Sequence, residues 1–72
     1  MTKVEAFEVI CARVGPYLAK DLVDLVFSPE LDIDEIYYRV YCDLRSSLFT
    51  PESAQTATVE FLALPQAVVP EA

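Results

Sequence analysis

The 72-residue sequence contains no histidine, no tryptophan and a single glycine, Gly15. Without histidine, the chain has neither a Ser-His nor a Cys-His system for nucleophilic catalysis. One glycine is also too few for a loop that cradles phosphate groups. We therefore expect a protein that is not an enzyme, with no catalytic residue and no bound cofactor.

Cysteine is scarce as well, with only Cys11 and Cys42. Two distant cysteines without histidine do not make a zinc signature. Cys11 falls within an apolar helical stripe, which predicts a buried and inert thiol. The acidic stretch that begins at Asp32 does not match a calcium-binding EF-hand loop, because Tyr37 stands where the turn glycine belongs. The sequence thus predicts no metal site.

Basic residues number 5 against 12 acidic ones, and the net charge is −7. Direct binding to nucleic acid is not expected, since affinity for a polyanion comes mainly from neutralising phosphates with Lys and Arg. Binding to an anionic membrane is disfavoured for the same reason. Residues 21–35 hold six acids and no base, and we call these six the acidic edge: Asp21, Asp24, Glu30, Asp32, Asp34 and Glu35.

Long apolar runs are absent from the sequence, and none approaches the ~18 residues of a membrane span. Glutamates interrupt the first apolar stretch, so the start of the chain does not resemble a signal peptide. We expect a cytoplasmic protein with no membrane association, in which both thiols are reduced.

Capping signals predict four helix starts, at Thr2, Pro16, Asp32 and Thr50. Apolar residues recur at helical spacing in the first and third segments. The stripe of the first is Val4, Phe7, Cys11, Val14 and Leu18, widened by Ile10, and that of the third is Ile33, Tyr37, Val40, Leu44 and Ser47, with Ile36 and Leu48 alongside. The second segment, from Tyr17 to Phe27, is apolar around more than half its circumference, so we expect it to be covered on two sides, by its own domain or by a partner.

The end of the chain is less clearly patterned. Residues 56–64 include Thr56, Thr58 and Val59, and these β-branched residues leave helix and strand as alternatives. Residues 65–72 contain two prolines and no periodicity, which predicts an extended or disordered tail. The sequence therefore predicts a small all-α bundle of three to four short helices, with one domain over residues 1–64 and a tail over 65–72.

Hydrophobic residues make up 54% of this short chain, which is more than a small monomer readily buries. The third helix has a second face beside its apolar stripe, formed by Tyr38, Tyr41, Cys42 and Arg45. Tyrosine and arginine are enriched at the energetic centres of protein interfaces. We expect a non-enzymatic protein-interaction module, a small acidic adaptor or assembly subunit that acts as a homodimer or within a larger complex.

An alternative function uses the acidic edge instead of the third helix. In this hypothesis the protein is an acidic inhibitor, a nucleic-acid mimic of the kind that phages or mobile elements encode. The carboxylates would occupy a basic groove on a nucleic-acid-handling protein. Charge complementarity of this kind speeds association and makes it sensitive to salt.

Overall fold

The computed structural model describes residues 1–68, which form four α-helices and one 3-10 turn. The elements are α1 (Lys3–Val14), α2 (Pro16–Val26), α3 (Ile33–Ser46), α4 (Pro51–Leu62) and the 3-10 turn Leu64–Gln66. No strand occurs in these residues. The predicted all-α fold is confirmed, and the stretch that was open to a strand interpretation is helical as far as Leu62.

The helices begin at the predicted caps. Thr2 and Glu5 form a capping box, in which the Thr2 hydroxyl accepts from the Glu5 N–H at 3.2 Å and the Glu5 carboxylate accepts from the Thr2 N–H at 2.8 Å. Hydrogen bonding of the Glu5 carboxylate by the backbone and side chain of Thr2 lowers the pKa of Glu5. Asp32 accepts from the N–H of Glu35 at 2.8 Å, and Thr50 caps α4 in the same way. Each side chain satisfies an amide that has no partner within its own helix.

Gly15 separates α1 from α2 and makes the reversal between them. Its φ of 85° lies in the region that glycine adopts without the steric penalty of a Cβ atom. Its N–H ends α1 by donating to the Cys11 carbonyl at 2.8 Å. Pro16 then starts α2, where the missing amide of proline has no cost.

Consecutive helices pack against one another along the chain. The Lys3 ammonium lies 2.7 Å from the Asp24 carboxylate, so the start of α1 meets the last turn of α2 and the two helices are antiparallel. The end of α4 returns to α1, where Arg13 pairs with Glu60 and its guanidinium lies 5.8 Å from the centroid of the Phe61 ring. The chain therefore closes on itself as a compact bundle.

All four helices contribute to one buried core. Its largest member is Phe61, and the polar member is Thr58, whose hydroxyl donates to the Ala54 carbonyl at 2.6 Å. This hydrogen bond explains how a β-branched polar residue is accommodated inside a buried helix face. The buried hydrophobic residues are Ala6, Ile10, Ala19, Leu22, Val23, Val26, Ile36, Val40, Leu44, Ala54, Ala57 and Phe61.

The predicted stripe of α1 is rotated relative to the one observed. Ile10 is buried as predicted, but it is joined by Ala6, whereas Val4 is 70% exposed and Phe7 and Cys11 are only half-buried. The prediction weighted large apolar side chains and passed over Ala6, although a small residue is what allows two helix backbones to approach closely. The expectation of a fully buried Cys11 thiol was therefore wrong.

Helix α2 is covered on both sides by its own chain. Leu22, Val23 and Val26 are buried, and Leu18 and Leu25 are half-buried against the same core. A partner is therefore not required to cover most of the apolar surface of this helix. In α3 the predicted core residues Val40 and Leu44 are buried, but Ile33 is exposed at the first turn and Leu48 lies beyond the end of the helix.

The predicted tail begins within the 3-10 turn Leu64–Gln66, and Ala67 then has extended backbone angles. The Met1 amino group donates a hydrogen bond to the Ala67 carbonyl, which ties this segment to the start of α1. Residues 69–72 of the predicted tail lie outside the described residues, and the domain boundary at residue 64 stays a prediction. Across residues 1–68, no helix combines the length and apolar character needed to span a membrane.

A candidate interaction surface on the third helix

The structure places three of the four predicted partner-binding residues on one face of α3. Tyr38, Cys42 and Arg45 follow one another at i, i+4 and i+7, and this face points away from the buried residue Val40. Tyr38 is 65% exposed and Arg45 is exposed, whereas Cys42 is half-buried. Tyr41 differs from them, because it is half-buried at the border of the core, where its ring stacks on that of Tyr37 with centroids 6.3 Å apart.

Tyr38 and Cys42 interact along the helix. Cys42 lies one turn after Tyr38, and helical side chains tilt toward the N-terminus, so the thiol points toward the phenol. A hydrogen bond with Cys42 raises the pKa of Tyr38 above its ordinary value, and the charges of Cys42 and Glu35 add to the effect. Tyr38 therefore presents a neutral phenol to a partner at neutral pH.

Arg45 holds the turn that ends α3. Its Nη1 donates to the Phe49 carbonyl at 2.8 Å. In the same turn, the Phe49 N–H donates to the Leu44 carbonyl and the Leu48 N–H to the Arg45 carbonyl, both at 3.2 Å. This pair of hydrogen bonds is the Schellman motif that commonly ends a helix. Arg45 thus has a structural role in addition to the predicted contact role.

Leu48 occupies the position of that motif at which glycine is usual. Its φ is 70°, in the left-handed region, and its side chain is 94% exposed. A residue with a Cβ atom in this conformation costs roughly 1–2 kcal/mol relative to a right-handed one. Neither burial nor backbone preference explains a leucine at this position. Strained residues of this kind cluster at functional sites, which makes Leu48 a candidate contact residue.

Sequence reasoning missed this property of Leu48, because the helical pattern assigned it to the apolar side of α3. The sequence did contain a signal. No glycine follows Ser47, so the left-handed position that commonly ends a helix has to be taken by another residue. We define the α3 surface as Tyr38, Cys42, Arg45 and Leu48. It combines an exposed aromatic ring, a guanidinium group held in place and an exposed aliphatic side chain.

Leu48→Gly is expected to stabilise the isolated protein. Glycine relieves the left-handed strain, and its greater freedom in the unfolded chain offsets part of the gain, so the net increase should be about 0.5–1 kcal/mol. Urea unfolding followed by circular dichroism measures it. The matched control is Ser47→Gly. Because Ser47 has a φ of −99°, which is outside the left-handed region, this substitution should bring no gain in stability. Equal stabilisation by both variants would contradict the strain at Leu48.

The acidic edge is only partly neutralised within the chain. Asp24 pairs with Lys3, and Glu35 pairs with Arg39, in each case with the charged atoms 2.7 Å apart. Asp32 has the structural role of capping α3. Asp21, Glu30 and Asp34 are exposed, and no Lys or Arg among residues 1–68 lies within 4.0 Å of their carboxylates. Half of the predicted acids therefore remain available to an external cation.

Asp43 of α3 lies near Asp21 of α2. Partial burial and the charge of Asp21 raise the pKa of Asp43. A carboxyl whose pKa is raised by folding destabilises the folded state when it is ionised; this effect decreases as the pH falls through the folded pKa and is absent below the unfolded pKa. The two helices thus meet at a site of charge repulsion.

Asp43→Asn is expected to stabilise the protein slightly at neutral pH, by less than about 0.5 kcal/mol because solvent screens the pair. The gain should vanish in acid, where the wild-type carboxyl is protonated in both the folded and the unfolded states. Thermal unfolding at neutral and acid pH measures the difference. A gain that persists unchanged in acid would show that charge is not its cause.

An open groove of about 560 Å³ lies where α1 and α2 meet. Its lining residues are Phe7, Pro16, Tyr17, Lys20 and Asp21, and we call it the α1–α2 groove. Tyr17 is 92% exposed, so an aromatic ring stands at the edge of the groove almost entirely in water. No pattern in the sequence indicated a groove.

Residues 1–68 contain no group of three or more Cys, Asp or Glu side chains arranged to hold a metal ion together. Comparisons of the chain with protein-family models, with curated proteins and with solved structures find no significant match.

Proposed function

We propose that this protein is a non-enzymatic protein-interaction module, a small acidic adaptor or assembly subunit, and that it contacts its partner through the α3 surface. The observation that carries the proposal is Leu48, a leucine that is both 94% exposed and in left-handed conformation. Burial of this side chain by a partner would return roughly 1.5–3 kcal/mol, which is at least comparable with the roughly 1–2 kcal/mol of backbone strain.

The rest of the α3 surface supports this function. Tyr38 offers a ring and a neutral hydroxyl, and both helical position and exposure make it accessible. Arg45 is already anchored to the Phe49 carbonyl, so less side-chain entropy is lost when a partner binds its free guanidinium nitrogens. In this proposal the partner is either a second copy of the protein or a different subunit. We propose a cytoplasmic location, in which both thiols would be reduced.

A second candidate function is the acidic inhibitor or nucleic-acid mimic. It is favoured by the exposed carboxylates of Asp21, Glu30 and Asp34, which have no ion-pair partner within residues 1–68. Such a protein would bind a basic groove on a nucleic-acid-handling protein. Its affinity would fall steeply with salt, because exposed charge pairs are screened.

Capture of binding proteins from the cells that make this protein, at low and high salt, separates the two functions. Tyr38→Ala should release the partner of an α3-surface interaction at both salt concentrations. Glu30→Lys with Asp34→Lys should release the partner of an acidic mimic, and neither residue caps a helix or forms an ion pair in the described chain. Val59→Ala, on α4 and 58% exposed, is the control.

Light scattering on the purified protein tests self-association within the same proposal. A dimer that Tyr38→Ala converts to monomer, with unchanged circular dichroism, would assign the α3 surface to a homodimer. If the purified protein is strictly monomeric, the α3 surface would be assigned to contact with a different subunit. Partners that survive Tyr38→Ala but are lost with the Glu30 and Asp34 variant would replace this function with the acidic mimic.

A further inference from the structure

The α1–α2 groove lies on helices other than α3 and is not used by the proposed function. Phe7 is half-buried and, with Pro16, gives the groove an apolar wall. Tyr17 stands beside it with 92% of its surface exposed. An open groove of about 560 Å³ holds one or two apolar side chains of a peptide, but it is too open to enclose a small molecule.

The lining carries one charge of each sign, and the acid lies beside the aromatic ring of Tyr17. Tyr17 and Asp21 are four residues apart on α2 and therefore neighbours on one helix face. An aromatic face next to a carboxylate is suited to a Lys or Arg side chain, which can stack on the ring and pair with the acid. Lys20 also lines the groove, and no acidic side chain of residues 1–68 lies within 4.0 Å of its ammonium.

Beyond the lining, the balance of charge is negative. Asp43 lies close enough to Asp21 for the charge of Asp21 to raise the pKa of Asp43. No Lys or Arg in the described chain lies within 4.0 Å of either carboxylate. A cation supplied from outside would therefore relieve a repulsion that the protein itself leaves in place, and would bind beside an apolar wall.

We propose that the α1–α2 groove is a second docking site, which takes a peptide segment of a partner protein that carries a large apolar side chain next to a Lys or Arg. The apolar side chain contacts Phe7 and Pro16, and the basic side chain lies against Tyr17 and Asp21. With the α3 surface on another helix, this site would allow the small protein to join two partners.

Selection of peptides from a random linear library displayed on phage, with the purified protein as bait, tests the proposal. Enriched peptides should combine an aromatic or long aliphatic residue with Lys or Arg. Tyr17→Ser and Asp21→Asn should each weaken their binding by about tenfold or more. Both positions are exposed, so the variants should fold, and circular dichroism checks this.

Tyr38→Ala is the matched control, because it removes an exposed tyrosine from α3 and should leave peptide binding unchanged. The proposal is overturned if nothing is enriched, if the enriched peptides lack basic residues, or if they bind Tyr17→Ser as tightly as wild type. Peptides that lose binding in Tyr38→Ala but not in Tyr17→Ser would support the α3 surface and reject the groove, so the two sites are judged separately.

Discussion

Phe61→Ala should lower the free energy of unfolding by about 3–5 kcal/mol, as truncation of a buried phenylalanine does in other proteins. Phe61 is 1% exposed and is the largest of the fully buried side chains. It also links the end of α4 to α1, since the Arg13 guanidinium lies 5.8 Å from its ring centroid. Alanine would leave a cavity and remove this link in a single change.

The loss is large relative to the stability of so short a chain. Domains are stable by roughly 0.05–0.15 kcal/mol per residue, and small domains bury the least surface. For 72 residues this gives roughly 4–11 kcal/mol, so Phe61→Ala should remove a large part of the stability and unfold at a markedly lower temperature than the wild type. Urea unfolding gives the difference in the free energy of unfolding between the variant and the wild type. Thermal unfolding gives the fraction of each protein that is folded at a chosen temperature.

Val59→Ala is the control for Phe61→Ala, because it lies two residues away on the same helix and is 58% exposed. Its effect should stay within about 0.5 kcal/mol. If Phe61→Ala cost less than about 1 kcal/mol, or no more than Val59→Ala, then α4 would not pack on the core as the structure has it.

Tyr38→Ala combined with Leu48→Gly should weaken binding to the partner by roughly a hundredfold or more, while the protein itself becomes no less stable. Truncation of a central interface residue typically costs about 2 kcal/mol, or close to thirtyfold in affinity. The two effects need not add, since both residues lie on one surface. Isothermal titration with the purified partner measures the affinity.

Leu48→Gly makes this prediction sharp, because it separates binding from folding. Most variants that weaken binding also weaken the fold, so the cause of the loss is ambiguous. Here the same substitution is expected to raise the stability of the isolated protein by relieving the left-handed backbone of Leu48. A variant that is more stable but binds less would show that leucine is present for the partner. Unchanged affinity would show that Leu48 is not a contact residue.

Much of the fold follows from local signals in the sequence. The caps at Thr2, Asp32 and Thr50 use side-chain hydrogen bonds within a few residues, and each helix starts where these bonds are found. Gly15 followed by Pro16 marks the reversal between α1 and α2 for the same reason. These features depend on short stretches of chain, so they can be read without knowledge of the packing.

The rotation of α1 and the structure after α3 could not be read in this way. Which face of α1 is buried depends on how closely Ala6 lets it approach its neighbours, and this is a property of the assembled bundle. Leu48 follows the helical pattern in sequence but leaves the helix in the structure, because the turn at Ser47 ends α3 first. The second face of α3 was predicted from spacing, whereas the exposure and left-handed backbone of Leu48 in the following turn are properties of the folded chain.

The central claim, that a partner covers the α3 surface, is tested most directly by site-specific photo-crosslinking in the cells that make the protein. A photoreactive amino acid is placed at Tyr38, at Leu48 and, as the control, at Val59 on α4, whose exposure of 58% is close to the 65% of Tyr38. We predict one discrete crosslinked species shared by positions 38 and 48 and absent at position 59. Crosslinking at position 59 alone, equal crosslinking at all three positions, or none at positions 38 and 48 would contradict the claim.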